Sequence, residues 1–169
     1  IFATDIDAGV LEIAGRGIYP ETVEADVGAP RLRRFFVRSD AHHFQVSKML
    51  RDSVTFAPQN LLTDAPFSRL DLVSCRNLLI YLDAALQRQV LEQFHFALKP
   101  HGFLLLGPSE EIGASSDLFE RVDRKGHAFR RRDTPWRRHS RLPRDTGRAR
   151  EPWTPAPPSA PEAEGLQRQ

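Results

Sequence analysis

The stretch Leu70-Asp71-Leu72-Val73-Ser74-Cys75-Arg76-Asn77, continued by Asp83 to Leu98 and then by Phe103-Leu104-Leu105-Leu106, decides the fold class. Leu70 to Cys75 has the length and apolar content of a strand buried in a parallel sheet. From about Ala84 to Leu98, the positions Leu86, Val90, Leu91, Phe94, Ala97 and Leu98 recur at the spacing of one helix face, with Asp83 as N-cap. Pro100 and Gly102 then separate the helix from a second apolar strand, Phe103 to Leu106. Strand, helix and strand with no hairpin turn between them make a βαβ crossover, which sets the two strands parallel.

Upstream, Ile1-Phe2-Ala3-Thr4-Asp5 reads as another strand, and Asp7 is placed to cap a helix with Ile6, Val10, Leu11, Ile13 and Ala14 on its apolar side. Gly15 and Gly17 stop that helix. A short helix is expected around Arg31 to Phe36, then a hairpin pairing Phe35–Arg38 with His43–Val46, and a strand at Val54–Phe56. Downstream of Leu106 the pattern predicts a helical or irregular piece and a last strand around Ala128 to Arg130. The sum is an α/β domain with a mostly parallel sheet over residues 1–132.

Residues 133–169 differ in kind, since they hold seven of the 13 prolines. The tail also has seven Lys and Arg against five acidic residues, which leaves residues 1–132 balanced at 17 of each sign. The net charge of +2 therefore comes from the tail, a Pro- and Arg-rich linker by composition, and the folded part offers no basic face that would call for nucleic acid. The arginine cluster from Arg130 to Arg150, with Trp136 and Trp153 nearby, could bind RNA or acidic protein by charge and stacking, but the interspersed prolines break any regular basic face, so a solvated linker and no nucleic-acid partner are expected.

A single cysteine, Cys75, excludes an internal disulfide and fits a cytoplasmic location. No stretch approaches the roughly 20 apolar residues of a membrane span. The chain opens at Ile1, inside an apolar run and not at Met, so a longer parent protein is expected. His42 and His43 are neighbours on a predicted strand, point to opposite faces and have no third ligand nearby, so no metal is expected.

Ligands of open parallel sheets bind beyond the carboxyl ends of the strands, which directs attention to the polar residues there. These are Asp5, Asn60, Arg76-Asn77 and the turn Gly107-Pro108-Ser109-Glu110. Asp5 can accept hydrogen bonds from both hydroxyls of a ribose, or it can serve local helix capping. Asn60 and Asn77 each offer donors and acceptors suited to an adenine edge or an amino-acid group, and each is equally at home in turn chemistry.

Read together, the segments resemble the bacterial chemotaxis receptor methyltransferases, the CheR family. The resemblance rests on Ala3-Thr4-Asp5-Ile6-Asp7, Gly17-Ile18-Tyr19, Val54-Thr55-Phe56 with Asn60-Leu61-Leu62, Cys75-Arg76-Asn77-Leu78-Leu79-Ile80-Tyr81 and Leu106-Gly107-Pro108-Ser109-Glu110, in this order, over about residues 1–131. It implies a Rossmann-like class I methyltransferase that uses S-adenosylmethionine to esterify glutamate side chains on the cytoplasmic helices of chemoreceptors.

By the same resemblance Asp5 holds the cofactor ribose, Asn60 and Leu61 flank the adenine, Arg76 and Asn77 line the cofactor and substrate end, and Tyr81 points to the transferring methyl. It also implies that the family's first strand, glycine-rich loop and small helical domain precede Ile1, and that the Pro/Arg-rich continuation resembles methylesterase–methyltransferase fusions. A non-catalytic signalling module that keeps the fold is the competing reading. For Tyr81 the residues alone allow a core aromatic with a satisfied hydroxyl.

Overall fold

The computed structural model describes residues 1–123 and 125–134. All but the first two residues of the Pro- and Arg-rich segment 133–169, its tryptophans included, lie outside the described residues. The chain divides into two compact units, the first comprising Ile1–Gln59 and the second beginning at Asn60.

In the first unit, β1 (Phe2–Asp5) runs parallel to β5 (Thr55–Pro58). Helix α1 (Ala8–Arg16) follows β1; the Asp7 carboxylate caps it by accepting from the Gly9 and Val10 N–H groups at 2.8 and 3.3 Å, as its position before the apolar run predicts. Of the apolar side expected for α1, only Leu11 is buried; Ile6, Val10 and Ile13 are exposed. A two-stranded sheet is narrower than the apolar arc of the helix and covers only part of it.

The remainder of the unit contains α2 (Val23–Val27), α3 (Ala29–Phe35) and α4 (Lys48–Arg51), with β2 (Ile18–Pro20), β3 (Phe36–Arg38) and β4 (His43–Val46) in an antiparallel sheet of order β2-β4-β3. Val23, Leu32 and Phe44 form its small core. The expected short helix and hairpin are both present, whereas β2 and α2 have too few residues to leave a periodic signature in the sequence.

The second unit contains the deciding stretch. Strand β6 (Leu70–Cys75), helix α5 (Ala84–Ala97) and strand β7 (Leu98–Leu106) make the expected parallel crossover, with Cys75 level with Leu106. Asp83 caps α5 by accepting from the Leu86 N–H at 2.9 Å. Val90, Leu91, Phe94 and Leu98 bury their side chains with Leu104, Leu106, Phe119, Phe129 and Leu79 in one core.

The expectation of a mostly parallel sheet is wrong. Strands β8 (Phe119–Asp123) and β9 (Ala128–Arg131) form a hairpin, and the sheet order β6-β7-β9-β8 joins β9 antiparallel to β7. Among the described residues only the pairs β1–β5 and β6–β7 are parallel. The physical reason is connection length: four positions separate β8 from β9, and a parallel return needs a dozen or more. Strand β6 is also terminal in its sheet, and Leu72, within the run expected to be buried, is 57% exposed.

Phe129 is fully buried where α5 meets the antiparallel hairpin, so Phe129→Ala should cost about 3–5 kcal/mol in urea unfolding. Val37→Ala, at a site 62% exposed, should stay within about 0.5 kcal/mol of the parent chain. Equal effects of the two substitutions would contradict this core.

Candidate functional site

Because β6 and β7 are parallel neighbours and end level with each other, the loops that leave them emerge at one edge of the sheet. The β6 loop begins Arg76-Asn77 and continues into a 3₁₀ turn, Leu79–Tyr81; the β7 loop is Gly107-Pro108-Ser109-Glu110. Asn77 takes φ = 60°, a left-handed conformation that Asn tolerates better than most residues, and this turns the chain sharply out of β6.

The Glu110 carboxylate, 2% exposed, ties these two loops together. One oxygen accepts from the Leu78 and Leu79 N–H groups, both at 2.8 Å, and the other from the Gly107 N–H at 2.7 Å. Burial pushes its pKa up, but the N–H groups of Gly107, Leu79, Leu78 and Asn77 outweigh burial and hold the carboxyl below its usual range. Gly107 fits here because it lacks a side chain: a Cβ would stand 2.7 Å from the Glu110 carboxylate and 3.3 Å from Asn77 Oδ1.

The carbonyl side of the 3₁₀ turn is held as well. Gln87, on α5, donates through Nε2 to the Leu79 and Leu82 carbonyls at 2.9 and 3.0 Å. Glu110 on the amides and Gln87 on the carbonyls thus fix the backbone that carries Tyr81; the sequence marks Glu110 only as part of a strand-end turn and does not mark Gln87. Glu110 had a legible signal, a charged residue closing the turn after a buried strand. Gln87 had none, because its partners are backbone carbonyls brought to it by folding.

Tyr81 itself is 78% exposed, so it is not a core aromatic. Arg76 and Asn77 are exposed too, and the Arg76 side chain makes no hydrogen bond or ion pair among the described residues. Cys75, just inside the sheet, is buried, and its thiol is pushed up to about 12 by burial and then by the negative charge of Glu110. That is a packed, inert cysteine.

Asn60 opens the second unit in an Asx turn: its Oδ1 accepts from the Leu62 N–H at 2.9 Å, and its own N–H donates to the Asp64 carboxylate at 2.9 Å. Its side-chain carbonyl is thereby committed to the local turn. Leu61 is half-buried against the core of the second unit.

Asp5 lies in the first unit, exposed at the carboxyl end of β1, where its carbonyl accepts from the Gln59 N–H at 2.9 Å. Its Oδ1 accepts from the Asp7 N–H at 2.9 Å, whereas the cap of α1 is supplied by Asp7. The structure therefore brings Arg76, Asn77 and Tyr81 to one edge of the second unit's sheet and places Asp5 at the matching end of a strand in the first. Among the described residues no cluster of three or more His, Cys, Asp or Glu is arranged to hold a metal, and no helix is long and apolar enough to cross a membrane.

An α/β domain with exposed polar loops at the carboxyl ends of parallel strands defines a ligand-binding class, and the comparisons narrow it. The family described as CheR methyltransferase, SAM binding domain, matches residues 1–127, and the chain belongs to that family. It is 37% identical over 124 residues to a chemotaxis protein methyltransferase of Vibrio parahaemolyticus, covering 72% of this chain and 45% of that protein. With the chemotaxis protein methyltransferase of Escherichia coli K12 it shares 39% identity over 120 residues, covering 66% of this chain and 41% of that one. A 104.1 kDa uncharacterized protein encoded in the hypE 3′ region of Rhodobacter capsulatus is 40% identical over 119 residues, 70% of this chain and 12% of that protein. The chain thus spans less than half the length of these curated relatives.

Glu110→Gln should cost about 2–3 kcal/mol at pH 7, because an amide leaves one N–H facing another donor. The folded carboxyl sits below the unfolded value of 4.5, so its contribution is complete above that value and disappears as pH falls through the folded pKa. Urea unfolding from pH 7 to pH 3 should show a smaller acid loss in Glu110→Gln than in the parent chain. An identical acid limb in both would mean that Glu110 is not the ionised clamp.

Proposed function

We propose that the protein to which this chain belongs transfers a methyl group from S-adenosylmethionine to glutamate side chains on the cytoplasmic helices of chemoreceptors, and that it acts in the cytoplasm. The observation that carries this reading is the exposed trio Arg76, Asn77 and Tyr81 on a clamped loop, in a chain of the CheR methyltransferase family.

The residues fit the cofactor on chemical grounds. The exposed Asp5 carboxylate uses only Oδ1 in its local turn, which leaves an oxygen for a ribose hydroxyl. Asn60 keeps its amide N–H groups beside the turn its carbonyl makes, and the half-buried Leu61 next to it offers an apolar surface to an adenine. Bound S-adenosylmethionine supplies a methyl group on a positively charged sulfur. Everything else falls to positioning. A glutamate substrate is already ionised at pH 7, with an ordinary pKa near 4.3, so no general base is required.

Arg76 orients the incoming carboxylate by a charge-assisted hydrogen bond, and Asn77 lines the same end. Tyr81, on the backbone that Glu110 and Gln87 anchor, would align the substrate carboxylate with the methyl group that the bound cofactor would supply. Orientation of this kind is worth several kcal/mol of barrier, up to about 7–11 kcal/mol in the best-aligned systems.

The test is calorimetric titration of S-adenosylhomocysteine into the full-length protein, with Asp5→Ala alongside. Binding weakened at least tenfold by Asp5→Ala is expected. In receptor methylation, Arg76→Ala and Tyr81→Phe should lower turnover tenfold or more while cofactor affinity changes much less for Tyr81→Phe. A folded protein that binds no S-adenosylhomocysteine would sink the proposal.

A further inference from the structure

We infer that the second unit carries a binding cleft for a nucleotide-sized organic phosphate at the end of its sheet opposite the Arg76 and Tyr81 loop. A shallow, open cleft of about 650 Å³ lies there, lined by Arg69, Phe96, Leu98, Lys99, Pro100 and Arg131. That volume lies within the range of small-molecule sites, roughly 300–1,000 Å³. Strand β6 is six residues long, so at about 3.3 Å per residue the cleft lies on the order of 17 Å from the loop that follows Cys75.

The cleft is shaped by an irregularity in an otherwise regular parallel pair. Leu70 pairs with Leu98 and Leu72 with Phe103, so β7 spends five positions where β6 spends two, and Lys99-Pro100-His101-Gly102 loops out. Two non-glycine residues at this end are left-handed, Arg69 with φ = 60° and His101 with φ = 63°. Such conformations cost energy for bulky side chains and concentrate at functional sites. Gly102 lets the excursion close on itself: a Cβ there would be 3.0 Å from the Lys99 carbonyl oxygen and 3.2 Å from that of Asp71.

Three cations line the cleft, and one of them is paired with a carboxylate. Lys99 pairs with the Asp71 carboxylate at 2.7 Å, and Asp71 is itself 84% exposed, so solvent screens the pair. Among the described residues Arg69 and Arg131 make no ion pair, and the buried Arg131 Nε has no hydrogen-bond partner. A buried donor without an acceptor is uncommon, and the arginine that carries it lines the cleft, where an anionic group is the partner a guanidinium favours. Phe96, Leu98 and Pro100 supply an apolar wall for a flat body attached to the phosphate. Both arginines suit phosphate because the guanidinium presents paired donors.

The probe is adenosine 5′-monophosphate, titrated calorimetrically into the full-length protein with and without saturating S-adenosylhomocysteine, and compared with adenosine. Binding is expected to persist with the cofactor product present, to be at least tenfold tighter than that of adenosine, and to weaken at least tenfold in Arg131→Gln. Asp71→Asn, a solvent-exposed change that releases Lys99, should tighten it, and Lys99→Gln should weaken it, so the inference does not depend on a variant at a buried position. Displacement by S-adenosylhomocysteine would place the nucleotide at the cofactor residues and overturn the inference. Absence of binding, adenosine binding as tightly, or wild-type affinity in both Arg131→Gln and Lys99→Gln would overturn it as well.

Discussion

The second unit depends on a single buried negative charge. Glu110 lies in the turn after β7, yet its carboxylate is consumed by the N–H groups that begin the loop after β6 and by that of Gly107. Two loops that share only a sheet edge are thereby made into one structure. Three backbone N–H groups donating to one carboxylate resemble the arrangement at a helix N-terminus, and they offset the cost of taking the charge out of water. The neighbouring Cys75 thiol responds to the same charge, which disfavours a thiolate at that place.

From that clamp follows the division of labour in the loop Arg76–Tyr81. The backbone is anchored on both sides, by Glu110 at its amides and by Gln87 at its carbonyls, while the side chains of Arg76, Asn77 and Tyr81 are left in solvent. A backbone anchored on both sides with its side chains in solvent fixes where those side chains can meet a ligand, which is the condition for any effect of orientation. Asp5 shows the same economy on a smaller scale: one carboxylate oxygen closes a local turn and the other stays available.

The two ends of the second unit's sheet are built differently. At the carboxyl ends of β6 and β7 the register is level and the loops are clamped. At the other end the register breaks, residues adopt left-handed conformations and arginines gather without partners among the described residues. Regular pairing needs no ligand to explain it, whereas strain and an unsatisfied buried donor together do call for an explanation.

The crossover was legible in the residues because each of its signals is local: an apolar run for β6, a 3.6-residue period with Asp83 in front for α5, Pro100 and Gly102 before the second run. The cap at Asp7 and the hairpin of β3 and β4 were legible for the same reason. Strand direction beyond the crossover was not, because β8 and β9 are short and their antiparallel return follows from a four-position connection that no periodicity reveals. Exposure was also beyond local pattern, as Ile6, Val10, Ile13 and Leu72 show, since burial depends on how wide a neighbouring surface the fold supplies. The sequence by itself determined which residues stand at the ends of strands; only the tertiary structure decided that Glu110 and Gln87 hold them, because hydrogen bonds between positions distant in the chain exist only after the sheet has brought their backbones together.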